Sequence, residues 1–175
     1  VLIYDMKRMQ FPFVANSGKR GVMGLSVWLD SCIFEGSVDI YEAVKQLPAK
    51  GPGVTILISD FLQEAFIDGA SETATQILRF LNYRKQRPVF LHVLAGEELQ
   101  VDLTGTKNLI DKEDKSTMRI TLDTGSIGIY EKALKEYTGN LQEQCLKAGA
   151  FYAICNTDRD FYRLIFEDLR MLYDI

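Results

Sequence analysis

The chain lacks long apolar runs, dense basic stretches and paired cysteines. No apolar run approaches the roughly 20 residues of a membrane-spanning helix, and the start has no signal-peptide pattern, so we expect a segment that does not span a membrane. A net charge of −4 without a dense basic run argues against a nucleic-acid partner. The three cysteines form no CxxC pair, which favours a reducing compartment. We interpret Cys145 and Cys155 as core residues.

Motifs of nucleotide-binding and hydrolytic enzymes are also missing. Gly18, Gly21 and Gly24 do not have the G-x-G-x-x-G spacing of a dinucleotide site, and neither a P-loop nor a G-x-S-x-G turn occurs. The lone His92 lies in an apolar run without a cysteine or second histidine to complete a zinc site, so we expect a satisfied core histidine. We therefore expect a protein that is not an enzyme.

The patterns that are present predict an α/β fold. Residues 54–58 (VTILI) and 89–94 (VFLHVL) are apolar throughout, as in buried parallel strands, and helical spacing over residues 72–85 between them predicts a βαβ unit. We interpret residues 54–58 as a central strand covered on both faces. The alternation of strands and helices predicts a doubly wound, mostly parallel sheet.

The remaining pattern is consistent with one domain spanning residues 1–175, a length and apolar content sufficient for a single core. Residues 6–20 have no clean period and predict a loop. The chain begins at Val1 with an apolar run already under way, so we expect a domain truncated at its N-terminus. Further predicted elements are strands at 1–4 and 151–155, helices at 22–32, 38–47, 127–148 and 161–173, and a β-hairpin insertion between 98 and 123.

Asp60 is the residue best placed for function. It follows the apolar strand 54–58, and ligands of open α/β sheets bind at the carboxyl ends of parallel strands. Two structural roles compete with a binding role. Asp60 could cap the following turn, or it could pair with a basic side chain.

Three segments resemble the bacterial family called domain of unknown function fifty-eight, which is itself similar to the von Willebrand factor type A fold. They are residues 36–44 (GSVDIYEAV), 54–62 (VTILISDFL) and 90–94 (FLHVL). The similarity extends over most of the chain from Gly18 onward. It implies the C-terminal portion of a type A-like, Rossmann-like three-layer sandwich.

The resemblance also implies a metal-ion-dependent adhesion site, in which oxygen ligands from three loops hold a divalent cation. Asp60 matches the third-loop aspartate, and residues 36–40 (GSVDI) match the family's G-G-T-D-L. Aligning Asp39 with its aspartate puts Val38 at the threonine position, so Ser37 would serve from one position earlier. The D-x-S-x-S run of the first loop does not occur. The implied site is degenerate, with Asp60, Ser37 and Asp39 as candidate ligands and Mg²⁺ as candidate cofactor of the full-length protein.

In function, the resemblance implies a protein interaction or adaptor module that acts with a MoxR-type AAA+ ATPase. It implies a cytoplasmic location, with the full-length protein anchored to the inner face of the membrane by preceding helices. The alternative is a metal-dependent phosphotransfer or hydrolytic enzyme. It would use Asp60 as metal ligand or nucleophile and Asp5 as a second carboxylate.

Overall fold

The computed structural model describes residues 2–5, 10–14, 19–31, 39–47, 51–62, 70–101, 105–110 and 117–174, which fall into two compact units. The prediction of a single domain stays a prediction. The first unit contains β1 (Leu2–Asp5), β2 (Gln10–Val14), α1 (Lys19–Asp30) and α2 (Ile40–Gln46). The second contains β3 (Gly53–Ser59), α3 (Ala70–Tyr83), β4 (Gln86–Leu94), α4 (Gly96–Leu99), β5 (Gly105–Ile110), β6 (Thr117–Leu122), α5 (Thr124–Lys147), β7 (Phe151–Asn156) and α6 (Phe161–Arg163).

A three-stranded parallel sheet in the order β3-β4-β7 forms the centre of the second unit. The α/β fold and the βαβ unit are therefore confirmed. Within the ladder, Ile56 lies opposite Val89, and Val93 lies opposite Cys155. Because β4 has a partner strand on each side, it is the most buried of the three, and Arg87 is its one exposed residue.

Helical segments cover both faces of this sheet at its middle strand β4. On one face, Val89 and Leu91 pack with Leu169 of the C-terminal helical segment. On the other face, Tyr137 of α5 makes an edge contact with the His92 ring, and α3 packs against α5 and β4. The core therefore lies in two layers, one on each side of β4.

The interpretation of residues 54–58 as a central strand covered on both faces is wrong. Among the described strands, β3 pairs with β4 alone, and one of its faces is open. Val54, Ile56 and Ile58 are 49%, 52% and 68% exposed. An apolar sequence indicates that a strand can be buried. Whether it is buried depends on the elements that pack against each of its faces.

The predicted loop over residues 6–20 is also wrong in part. The strand predicted at 1–4 is present as β1, and it pairs antiparallel with β2, with Ile3 opposite Phe13. Pro12 obscured β2 in the sequence because proline cannot donate to a ladder. The register of β1 and β2 is irregular here, and strands tolerate proline at such irregularities.

The helix predicted at 161–173 is divided into three short pieces. After α6 come a π-helical turn, Leu164–Asp168, and a 3-10 helix, Arg170–Asp174. The Leu169 N–H donates to the Leu164 carbonyl at 3.0 Å, a bond that spans five residues. In an α-helix, residues five positions apart point to different sides. The π-helical turn instead lets Leu164 and Leu169 pack in one apolar cluster on the sheet.

The short helix α4 was not predicted, whereas the other helices and strands lie close to their predicted bounds. The long helix α5 begins where Asp123 accepts the Ser126 N–H at 2.6 Å, an N-cap bond. The strands β5 and β6 pair antiparallel, with Gly105 opposite Leu122. Among the described helices, none is both long enough and apolar enough to cross a membrane.

Candidate functional site

The candidate site is the carboxyl edge of the three-stranded sheet. Parallel strands end at the same edge, so the segments that follow β3, β4 and β7 lie beside one another. These segments begin with Asp60, Ala95 and Thr157. The Thr157 N–H donates to the Leu94 carbonyl at 3.0 Å, which ties the last two segments together.

The Asp60 carboxylate is exposed but held in place by its own turn. Its Oδ1 accepts the Leu62 N–H at 3.2 Å, and Ser59 Oγ accepts the Phe61 N–H at 3.1 Å. The hydroxyl of Tyr137 donates to the Phe61 carbonyl. Of the two structural roles considered for Asp60, the structure therefore shows the capping role.

Phe61 anchors this turn in the core. Its side chain is fully buried, and its ring stacks on Phe90 with centroids 5.2 Å apart. Its φ of 50° lies in the left-handed region, which costs a non-glycine residue on the order of 1 kcal/mol. Burial of a phenylalanine side chain contributes roughly 1.5–3 kcal/mol and offsets that cost. We infer that the Asp60 turn is rigid.

His92 lies beneath the turn and is fully buried. Its Nδ1 is 2.8 Å from the hydroxyl of Tyr152, but Nε2 has no hydrogen-bond partner among the described residues. The core location predicted for His92 is confirmed, and Nδ1 of its ring has a hydrogen-bond partner. A hydrogen-bond partner depends on the packing of a residue 60 positions away, which the local pattern does not encode.

Burial also sets the protonation states around His92. It lowers the pKa of His92, and the Asp60 carbonyl and carboxylate oppose this effect. Burial raises the pKa of Tyr137, with a smaller contribution from the Asp60 charge, and it also raises the pKa of Tyr152. These three groups are therefore neutral at pH 7, and the imidazole is fully buried.

A second close contact at this edge joins Gly96 and Asp158. A Cβ at position 96 would lie 2.1 Å from Oδ2 of Asp158, so only glycine allows the carboxylate this approach. The Asp158 N–H donates to Asn156 Oδ1 at 2.8 Å, which fixes the turn after β7. Sequence analysis did not identify this contact. A glycine two residues after β4 and an aspartate two residues after the neighbouring strand β7 are its signal in the sequence.

The candidate metal ligands lie in different units of the chain or outside the described residues, so their role as a ligand set stays a prediction. Asp39 caps α2, where its Oδ1 accepts the Glu42 N–H at 3.0 Å in the first unit, whereas Asp60 belongs to the second unit. Ser37 and Val38 lie outside the described residues. Asp5, the second carboxylate of the enzyme alternative, lies in β1 of the first unit. In the described part of the chain, no group of three or more His, Cys, Asp or Glu residues could hold a metal ion.

The two described cysteines are core residues, as predicted. Cys145 and Cys155 are both buried and free. Burial raises the pKa of the Cys145 thiol to about 12 and that of Cys155 above its ordinary value. Neither thiol is a thiolate at neutral pH, which argues against a nucleophilic role for them.

Comparison with models of protein families, with curated proteins and with solved structures finds no match for this chain.

Proposed function

We propose that this chain is a protein interaction module that serves as an adaptor for a MoxR-type AAA+ ATPase in the cytoplasm. The contact would lie at the carboxyl edge of the sheet, around Asp60. The proposal includes a von Willebrand factor type A-like, doubly wound arrangement, with β5 and β6 as its hairpin insertion. Its support is the sequence resemblance together with the geometry of the Asp60 turn.

The observation that carries the proposal is the contrast between Asp60 and Phe61. The carboxylate is exposed, while the next side chain is fully buried in the core. A charged group fixed on a rigid turn contacts a partner without a large ordering cost, since little freedom is lost on binding. It also favours a partner with a basic surface at this position.

The adhesion site is proposed to be degenerate. Oxygen ligands from several loops are needed to hold Mg²⁺ well, and Oδ1 of Asp60 already accepts a backbone N–H. Titration of the full-length protein with Mg²⁺ or Mn²⁺ tests this point. We expect no saturable binding that depends on Asp60. Binding that Asp60→Ala abolishes would show an intact site and contradict degeneracy.

The adaptor role is tested by co-purification with the MoxR-type ATPase of the same organism, alongside phosphatase and nucleotide-hydrolysis assays. We expect recovery of the ATPase and no turnover attributable to this chain. Turnover that disappears in Asp60→Ala would instead favour the metal-dependent enzyme. Failure to recover the ATPase under conditions in which both proteins are folded would contradict the adaptor role.

A further inference from the structure

The amino edge of the three-stranded sheet lies at the opposite ends of the strands from the Asp60 turn. Three connections meet there. Nδ2 of Asn82 donates to the Ala148 carbonyl at 3.0 Å, which joins the end of α3 to the end of α5. The Gly53 N–H donates to the Lys85 carbonyl at 3.3 Å, which joins the start of β3 to the start of β4. The turn between α3 and β4 is therefore held to both neighbouring connections.

This turn and the first residues of β4 carry three cationic side chains within four positions, Arg84, Lys85 and Arg87, which we call the amino-edge tract. Lys85 and Arg87 are exposed. Arg84 is half-buried, with its guanidinium over the Phe80 ring at 5.7 Å from the ring centroid. Tyr83, whose side chain is 84% exposed, directly precedes the tract. Cations and an aromatic ring are thus presented together on a fixed turn.

The ends of two helices neutralise only part of this charge. Each helix carries about half a negative charge at its carboxyl end, and α3 and α5 both end at this edge, so together they offset roughly one of the three positive charges. Lys147, in the last turn of α5, pairs with Glu143 at 2.8 Å and adds no net charge. A net charge of roughly +2 therefore remains on the amino-edge tract.

The carboxyl edge of the same sheet has the opposite charge. Its exposed acidic side chains follow the strands, and they are Asp60, Glu97, Asp158 and Asp160. Arg159 lies between two of them, but its guanidinium pairs with Glu167 and Asp168. The described part of this unit is thus polarised along its strands. Its two edges are complementary to partners of opposite charge.

The side chains at the amino edge favour a protein over other anionic partners. Arginine and tyrosine are enriched in protein interfaces, and a guanidinium can pair with both oxygens of one carboxylate. Adhesion to an anionic membrane takes clusters of about 4–8 cations. A nucleic acid presents many phosphates, and the net charge of this chain is −4. Three cations instead match a short acidic segment of a polypeptide.

We propose that the amino-edge tract docks an acidic segment of a second protein, whose carboxylates pair with Arg84, Lys85 and Arg87 while Tyr83 packs against the segment. This binding does not depend on the adaptor function, because it uses the edge opposite Asp60. The nine residues of β4 place the two edges about 30 Å apart, so both can be occupied at once. Together with the adaptor function, the tract makes the chain a bridge between two proteins.

Fluorescence anisotropy with a short labelled peptide of alternating glutamate and serine tests the proposal. We expect saturable binding at low salt that weakens as the salt concentration rises, because the pairs are exposed and ions screen them. The matched peptide of alternating glutamine and serine should not bind. No binding of the acidic peptide, or equal binding of the two peptides, would overturn the proposal.

Variants of the tract locate the contact. Arg87→Glu should weaken binding of the acidic peptide about tenfold, and Arg87→Lys should retain part of it, because lysine keeps the charge but loses the planar fork. Lys85→Asn removes a second cation, and asparagine tolerates the left-handed φ of 58° at this position. The matched control is Lys132→Glu, which makes the same charge reversal at a side chain of α5 that is 77% exposed. Equal effects of Arg87→Glu and Lys132→Glu would overturn the assignment to the amino edge.

Two further measurements separate this contact from other anionic partners and from the contact at Asp60. Tighter binding to phosphatidylglycerol vesicles or to a DNA duplex than to the acidic peptide would overturn the choice of a protein partner. Asp60→Lys should leave binding of the acidic peptide intact. A loss in Asp60→Lys as large as that in Arg87→Glu would contradict two separate contacts, whereas failure of the ATPase to bind would leave the peptide result unchanged.

Discussion

The hydroxyl of Tyr152 lies 2.8 Å from Nδ1 of His92, and this contact joins the adjacent strands β7 and β4 beneath the Asp60 turn. Because the His92 ring is buried, its Nδ1 depends on the tyrosine hydroxyl for its hydrogen bond. The stability of the sheet next to the candidate site should therefore depend on the tyrosine hydroxyl.

Replacing Tyr152 by phenylalanine tests that dependence. The variant keeps the ring but removes the hydrogen-bond partner of the buried Nδ1, which costs about 1–3 kcal/mol. We expect a corresponding loss in the free energy of unfolding, measured by urea titration. Tyr83→Phe is the control, since its side chain is 84% exposed and should change stability by less than about 0.5 kcal/mol. Equal stability of the two variants would contradict the role of Tyr152.

Stability should also decrease on acidification through His92. Burial lowers its pKa in the folded chain below the ordinary 6.5, so the unfolded chain binds more protons at mildly acidic pH. The contribution of the neutral imidazole is fully present above pH 6.5 and is lost as the pH falls from there toward the folded pKa. Melting temperatures measured along a pH series should show this decrease.

The matched variant for the pH series is His92→Phe, which keeps a ring but cannot titrate. Its melting temperature should change less with pH over the same interval than that of the unaltered chain. A pH dependence that is identical in the two proteins would assign the effect to other groups.

Two glycines near the end of α5 should respond to alanine in opposite directions. Gly149, just past the helix, has a φ of 70°, so Gly149→Ala should destabilise the fold by about 1 kcal/mol. Gly139 lies within α5, where an added Cβ meets no atom within 4 Å, so Gly139→Ala should stabilise it by about 0.5–1 kcal/mol. Thermal unfolding of the two variants measures both effects. Changes of the same sign would contradict the helix end described for α5.

Local composition was sufficient to predict most of the strands and helices of the second unit, but not the short helix α4 or the division of residues 161–173. The apolar runs around Ile56 and Phe90 predicted β3 and β4, and helical spacing between them predicted the parallel crossover. By the same reasoning, Asp60 was expected at the carboxyl edge of the sheet, where it lies. Each of these features depends on residues that are close together in the chain. They could therefore be predicted from a single sequence.

The features that were missed depend on distant neighbours. The exposure of Ile56 and Ile58 depends on which elements pack on their face of β3, which the strand's own residues do not specify. The same holds for the contact between His92 and Tyr152 and for the approach of Asp158 to Gly96. The candidate ligand Ser37 lies outside the described residues, so its predicted role stays a prediction.

The central claim, a protein contact at the Asp60 turn, is tested most directly by the affinity of the MoxR-type ATPase for two charge-reversal variants. Asp60→Lys changes the proposed contact, and Glu143→Lys makes the same change near the end of α5, the helix that leads into the amino end of β7. The account predicts that Asp60→Lys weakens binding tenfold or more, about 1.4 kcal/mol, while Glu143→Lys binds like the unaltered chain. Equal affinities for the two variants, or no binding by the unaltered chain, would contradict it.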